Sequence, residues 1–243
     1  MSQSLQIEVV SDHVCPWCYV GKRRLEAAIA QRPELDINVT WQPYQLSPDM
    51  PREGRKRIDH YREIFGTDRA QTIMDSMKDT GADEGISFGS SPDAISPNTL
   101  SAHVLMLCAS EDEAINADEL AEKLFQAHHV DCENIGDHEV LKRIAGELGM
   151  DKEKVAALLA DGTDESRVAE LISLSQQRGV SGVPFFIING RYGFSGAQPV
   201  ESFVAAFDEP PAAVLDVQRV AFQTQCNCRD TGRSADSQYG PRW

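Results

Sequence analysis

Positive charge is what this chain has least of: 23 Lys and Arg stand against 38 Asp and Glu, a formal net charge of −15. A protein that grips DNA, RNA or an anionic membrane surface neutralises phosphates with Lys and Arg, and this balance opposes all three partners. Long hydrophobic runs are missing as well. The apolar stretch from Val183 to Ile188 is far too short to cross a bilayer, and Met1-Ser2-Gln3-Ser4 lacks the basic and apolar regions of a secretory leader. The expectation is a soluble, cytoplasmic protein. Gly (17) and Pro (12) stand at ordinary globular levels, which excludes collagen-like and low-complexity chains. Cysteine is sparse, six in 243 residues. In a reducing compartment such thiols, when paired, are more often catalytic or metal-binding than structural.

At roughly 150 residues per domain, this length suits one fold that carries an insertion. Leu5 to Ser11 alternates as a short strand, with Ile7 and Val9 on one face. A helix follows from about Cys15 to Arg32, with Pro16 in its first turn and Pro33 as its stop. Ile37, Val39 and Trp41 mark a second strand that Pro43 closes, so a right-handed βαβ unit is predicted. From Pro51 to about Gly162 the chain turns helical in character. Helix starts are expected near Asn98, Asn116 or Asp118, Asp137 and Asp151, with a loop over Gly81 to Pro97. Asp164 is expected to cap a further helix that Gly179 ends. Strand signals return at Pro184 to Ile188 and at Tyr192 to Phe194, around an Asn189-Gly190 turn, before a last core helix opened by Pro199.

Cys15-Pro16-Trp17-Cys18 falls at the strand-to-helix junction of the βαβ unit, a context that turns a weak C-x-x-C match into a redox expectation. Cysteines three apart on a first helical turn lie one above the other, so their sulfurs can reach the ~2.05 Å of a disulfide without refolding. Free amides and the positive end of the helix dipole favour an ionised sulfur at Cys15, the expected nucleophile. Cys18, one turn inside, is expected to be more buried, to keep its proton and to resolve the mixed disulfide. Pro16 removes a donor the helix start would leave free, and Trp17 offers an apolar surface to a substrate. The competing reading is half a zinc site. Zinc would need a second pair from Cys226-Asn227-Cys228 or from His128-His129 with Cys132, and neither has finger spacing, so no metal is expected.

Three segments together carry a family resemblance: Cys15-Pro16-Trp17-Cys18-Tyr19-Val20-Gly21, Asn98-Thr99-Leu100-Ser101-Ala102-His103, and Gly179 to Phe186. The chain resembles the thioredoxin-fold proteins of the DsbA type, and among them the FrnE-like dithiol-disulfide oxidoreductases. The resemblance implies an α/β thioredoxin fold over residues 1–48 and 164–209, a large inserted α-helical domain over 49–163 and a C-terminal extension over 210–243. It implies exchange or isomerisation of protein and peptide disulfides, with no cofactor beyond the Cys15–Cys18 couple and with glutathione as a candidate reductant. It also implies a cis Val183–Pro184 bond beside the cysteines, where Val183 backbone groups could pair with an extended substrate; a trans proline opening a strand is the plain alternative. By analogy alone, a homodimer is expected.

Smaller expectations attach to other residues. His13 and His103 could tune Cys15 or be ordinary packed histidines, and Asp12 could oppose them. Cys108 reads as an inert core thiol and Cys132 as an exposed one. A disulfide between Cys226 and Cys228 would close a cramped ring, suited to a redox relay to Cys15. Two rival functions stay open: a glutathione-dependent isomerase or transferase of the same fold, like 2-hydroxychromene-2-carboxylate isomerase, in which serine commonly replaces the first cysteine, and a chaperone-like binding protein.

Overall fold

A computed structural model describes residues 4–208 and the backbone of residues 215–216. In chain order, β1 (Leu5–Ser11), α1 (Pro16–Ala30) and β2 (Ile37–Pro43) form the first unit. There follow β3 (Arg55–Lys56), α2 (Arg57–Phe65), α3 (Thr67–Asp83), β4 (Ile95–Ser96), α4 (Leu100–Ser110), α5 (Ala117–His129), α6 (His138–Glu147), α7 (Lys152–Asp161) and α8 (Thr163–Gln177). The chain then returns to strand with β5 (Phe185–Ile188) and β6 (Tyr192–Ser195), continues through α9 (Val200–Asp208) and adds β7 (Leu215–Asp216).

The main sheet has the order β2-β1-β5-β6-β7. β1 and β2 run parallel, from Leu5 against Ile37 to Ser11 against Pro43, as a helical crossover requires. β5 joins β1 from the other side, antiparallel, with Val9 facing Phe186. Asn189 and Gly190 have φ of 51° and 65°, the left-handed geometry of a tight hairpin turn that asparagine and glycine tolerate. All four residues of β5 are buried, since helices cover both faces of this central strand.

Two apolar layers flank the sheet. One packs Ile7, Val9, Leu25, Phe186 and Phe203 between the strands, α1 and α9; the other packs Leu105, Leu120, Phe125, Ile144 and Ile187 against the intervening helices. α1 serves both. Its first turn, with Cys18 and Tyr19, belongs to the second layer, while Leu25 and Ala28 belong to the first.

Side-chain caps form where the sequence leads one to expect them: Asn116 accepts from the amides of Asp118 and Glu119, Asp137 from Glu139, and Asp151 from Glu153 and Lys154. Three boundaries differ. Asp164 caps nothing, because Gly162 in the left-handed conformation (φ 69°) both ends α7 and opens α8, which leaves Asp164 inside the first turn. The stretch Gly81 to Pro97 is not all loop: α3 continues through Asp83, and Ile95–Ser96 pairs with Arg55–Lys56. The first helix begins one residue later than expected and ends at Ala30, so Cys15 is its N-cap.

Candidate active site

β1 delivers the chain into a tight turn in which the Cys15 amide bonds to the Asp12 carbonyl at 3.0 Å. Asp12 holds that turn: its carboxylate, 1% exposed, accepts the Leu46 amide at 2.8 Å and the Val14 amide at 3.5 Å. Cys15 follows as N-cap of α1 with extended backbone (φ −84°, ψ 113°) and no side-chain cap bond. Pro16 contributes no amide, and no acidic residue occupies the first turn. The positive end of the α1 dipole therefore meets a sulfur instead of a carboxylate. The Cys18 amide bonds to the Cys15 carbonyl at 3.0 Å, which brings the two thiols to one side of the turn.

Both cysteines are free, and both are buried: Cys15 is 0% exposed and Cys18 1%. The expected contrast in exposure is absent because the turn carrying Cys15 tucks under the apolar layer that also holds Cys18. The contrast that remains is chemical. Burial pushes the Cys18 thiol well up, and its contact with the Cys15 sulfur pushes further in the same direction. Cys18 therefore holds its proton at neutral pH. The Cys15 thiol donates to the Val183 carbonyl across 3.8 Å, a long contact that sets the Val183–Pro184 segment against the Cys15 sulfur. The Val183–Pro184 bond is cis, and both residues are buried. Trp17 is half-buried.

A groove of about 510 Å³ borders the motif at Pro16. Val14, Pro16, Leu46 and Met50 line it together with Tyr61 and Phe65 of α2. Burial raises the Tyr61 hydroxyl, the Arg57 guanidinium opposes that, and charge on Cys15 adds to the rise, which puts Tyr61 within electrostatic reach of Cys15. α2 is pinned by Arg57, whose Nη2 donates to the His128 carbonyl at 2.9 Å and lies 3.2 Å from the His128 ring. Arg57 and Tyr61 carry no motif and escaped sequence reading. Their only signal is a cation and an aromatic one helical turn apart.

Beneath the motif lies a layer of buried histidines. His13 stands 5.1 Å from the rings of both His103 and Phe125, and His129 stacks on Phe125 at 6.1 Å. Burial lowers His13 well below its ordinary value, with His103 and His129 adding to the effect. His129 is pushed down to about 3 by burial and by Arg57. Burial thus favours the neutral form of His13 and of His129. His103 is a packed histidine held by the Tyr44 carbonyl at 2.8 Å and by Asp12 at 3.6 Å. It lines a second, smaller cavity and not the groove.

The remaining cysteines differ from expectation. Cys108 is half-buried at the end of α4, its thiol raised by burial and by Glu111 and Asp112, so it is no core residue. Cys132 is half-buried too, in a left-handed conformation (φ 60°) with its sulfur against Gly89. Cys226 and Cys228 lie outside the described residues, as does any relay through them.

A family model for the DSBA-like thioredoxin domain matches residues 6–208. The chain belongs to that family. It is 28% identical to a probable DsbA oxidoreductase from Streptomyces coelicolor, whose crystal structure superposes with a TM-score of 0.76 over 98% of this chain and 97% of that one. It is also 29% identical over 187 residues to the uncharacterized protein YwbO of Bacillus subtilis, spanning 76% of this chain and 87% of the relative. The cytosolic disulfide reductase DsbM of Pseudomonas aeruginosa shares the fold at 18% identity, with a TM-score of 0.55 over 92% of this chain and 100% of that one; a second structure of it holds GSH. Among the described residues no helix is long and apolar enough to cross a membrane.

Proposed function

We propose that this DSBA-like protein is a thiol-disulfide oxidoreductase of the cytoplasm that acts on protein or peptide disulfides through Cys15 and Cys18. One observation carries the reading: the N-cap of α1 is a cysteine with no competing cap, in contact with a second thiol that burial keeps protonated. Cys15 attacks the substrate disulfide and expels the first substrate thiol. Cys18 then attacks Cys15 and expels the second. The substrate gains two electrons and two protons, and the Cys15–Cys18 pair becomes a disulfide, which two glutathione molecules return to dithiol as they form their own disulfide. The glutathione complex of DsbM supports that reductant.

Val183, Pro184 and Trp17 are the proposed substrate contacts, and the groove between Pro16 and α2 is the proposed seat for the chain beside the target cysteine. Residues 1–48 and 164–209 form the redox fold, and 49–163 roof it. Since Cys15 is fully covered, a folded protein disulfide reaches it only when that roof opens; peptides and unfolded chains are the better substrates.

Insulin reduction with glutathione tests this. Cys15→Ser is expected to abolish turnover, and Cys18→Ser to accumulate a mixed disulfide on Cys15. Full turnover in Cys15→Ser would overturn the proposal.

A further inference from the structure

A second cavity, of about 160 Å³, lies apart from the groove, and neither Cys15 nor Cys18 lines it. His103, Met106, Leu107 and Ser110 reach it from α4, on one face of that helix, and His13 reaches it from the turn after β1. His13, His103 and Met106 are 2%, 3% and 6% exposed, so two imidazoles and a thioether meet at one buried space. Among the described residues, neither ring nitrogen of His13 has a hydrogen-bond partner, a costly state for a buried imidazole. The His13 and His103 ring centres stand 5.1 Å apart and their planes are tilted by 45°. Metal–nitrogen bonds of about 2.0 Å at trigonal or tetrahedral angles put two imidazole centres roughly 5–5.5 Å apart.

We propose that His13, His103 and Met106 bind one Cu(I) ion in this cavity. Their surroundings suit a ligand set of that kind. His103 donates from Nε2 to the Tyr44 carbonyl at 2.8 Å, which fixes the ring and leaves Nδ1 for the ion. Burial keeps His13 in the neutral form that metals require. Asp12, 1% exposed and 3.6 Å from His103, pairs with no Lys or Arg among the described residues, and a monovalent cation would balance this buried carboxylate. The donor set decides which cation. No three His, Cys, Asp or Glu among the described residues group as a metal site, which disfavours zinc, calcium and magnesium, whereas a thioether joined to imidazoles selects soft Cu(I). Binding is coordination alone, with copper entering and leaving as Cu(I) and nothing oxidised or reduced. The ion would tie α4 to the turn before α1 and so stabilise the folded chain by mass action. The site is independent of the dithiol chemistry proposed above.

Cu(I), supplied anaerobically as its acetonitrile complex to the full-length protein, tests the site. Thiols also take Cu(I), so copper retained against bicinchoninate is compared between variants, and the Met106 methyl carbon and histidine ring nitrogens are followed by NMR. In the unsubstituted protein the Met106, His13 and His103 resonances are expected to shift together on copper addition, and to do so again in Cys15→Ser/Cys18→Ser, which lacks the motif thiols. Met106→Leu, close in volume and tolerated by packing, should retain one copper fewer per chain, as should His13→Phe. Met106→Leu decides the matter if His13→Phe fails to fold. Equal copper in Met106→Leu and the unsubstituted protein, with the Met106 methyl unmoved, overturns the site. Loss of the resonance shifts in Cys15→Ser/Cys18→Ser assigns the ion to the motif and likewise overturns it, and an equal shift with Zn(II) overturns the choice of metal.

Discussion

Gly21 shows how tightly the residues around the motif are fitted. A methyl group there would come within 3.0 Å of the Phe186 ring and 3.2 Å of Pro184, so only a bare backbone lets α1 approach the segment that faces Cys15. Gly21→Ala is expected to cost about 1–3 kcal/mol in urea denaturation, as overpacked cores do, and to lower turnover by displacing Pro184. The Cys15-Pro16-Trp17-Cys18 spacing was legible because its geometry is local: four residues on one helical turn. The reason for Gly21 was not, since its neighbours come from β5 at the far end of the chain. His13 shows the limit from another side, for its ring nitrogens are defined by what fails to reach them.

Elements were legible where caps or alternation announced them, as with β1, α5, α6 and the β5–β6 hairpin. α2 was not, since Arg57 is its only buried residue and it has no side-chain cap, leaving no start signal. What fixes α2 is the bond from Arg57 to His128 across the insertion. Arg57→Ala should loosen this wall of the groove and raise the rate of Cys15 alkylation severalfold, read by mass spectrometry of the labelled cysteine. An unchanged rate would mean α2 does not guard the sulfur. α1 is held from the opposite side by Lys22, 2% exposed, which pairs with Asp118 at 3.0 Å and Glu122 at 3.4 Å and also with Glu26. Burial alone would depress the ammonium, but Asp118 and Glu26 outweigh it and hold it above the ordinary range. Because the three acids keep some exposure, Lys22→Met should cost only about 1–3 kcal/mol in thermal or urea unfolding.

At the scale of the whole molecule, the neutral histidines tie folding to pH. His13, His128 and His129 are all held below their ordinary value, chiefly by burial. Below about pH 6.5 the unfolded chain binds protons that these folded rings refuse, so stability falls as pH falls. Each contributes about 1.4 kcal/mol per pH unit, and the three together about 4, with the His129 share persisting to about pH 3. Urea midpoints at pH 7.5, 6.0 and 5.0 should drop steeply, and His129→Leu should remove roughly a third of the slope.

The most direct measurement is the redox state of the Cys15–Cys18 pair in glutathione buffers of graded ratio, followed by alkylation and mass spectrometry. The pair should convert between dithiol and internal disulfide over a narrow span of ratios, with Cys15→Ser showing no such conversion. A pair that remains dithiol at every ratio would contradict the proposed chemistry.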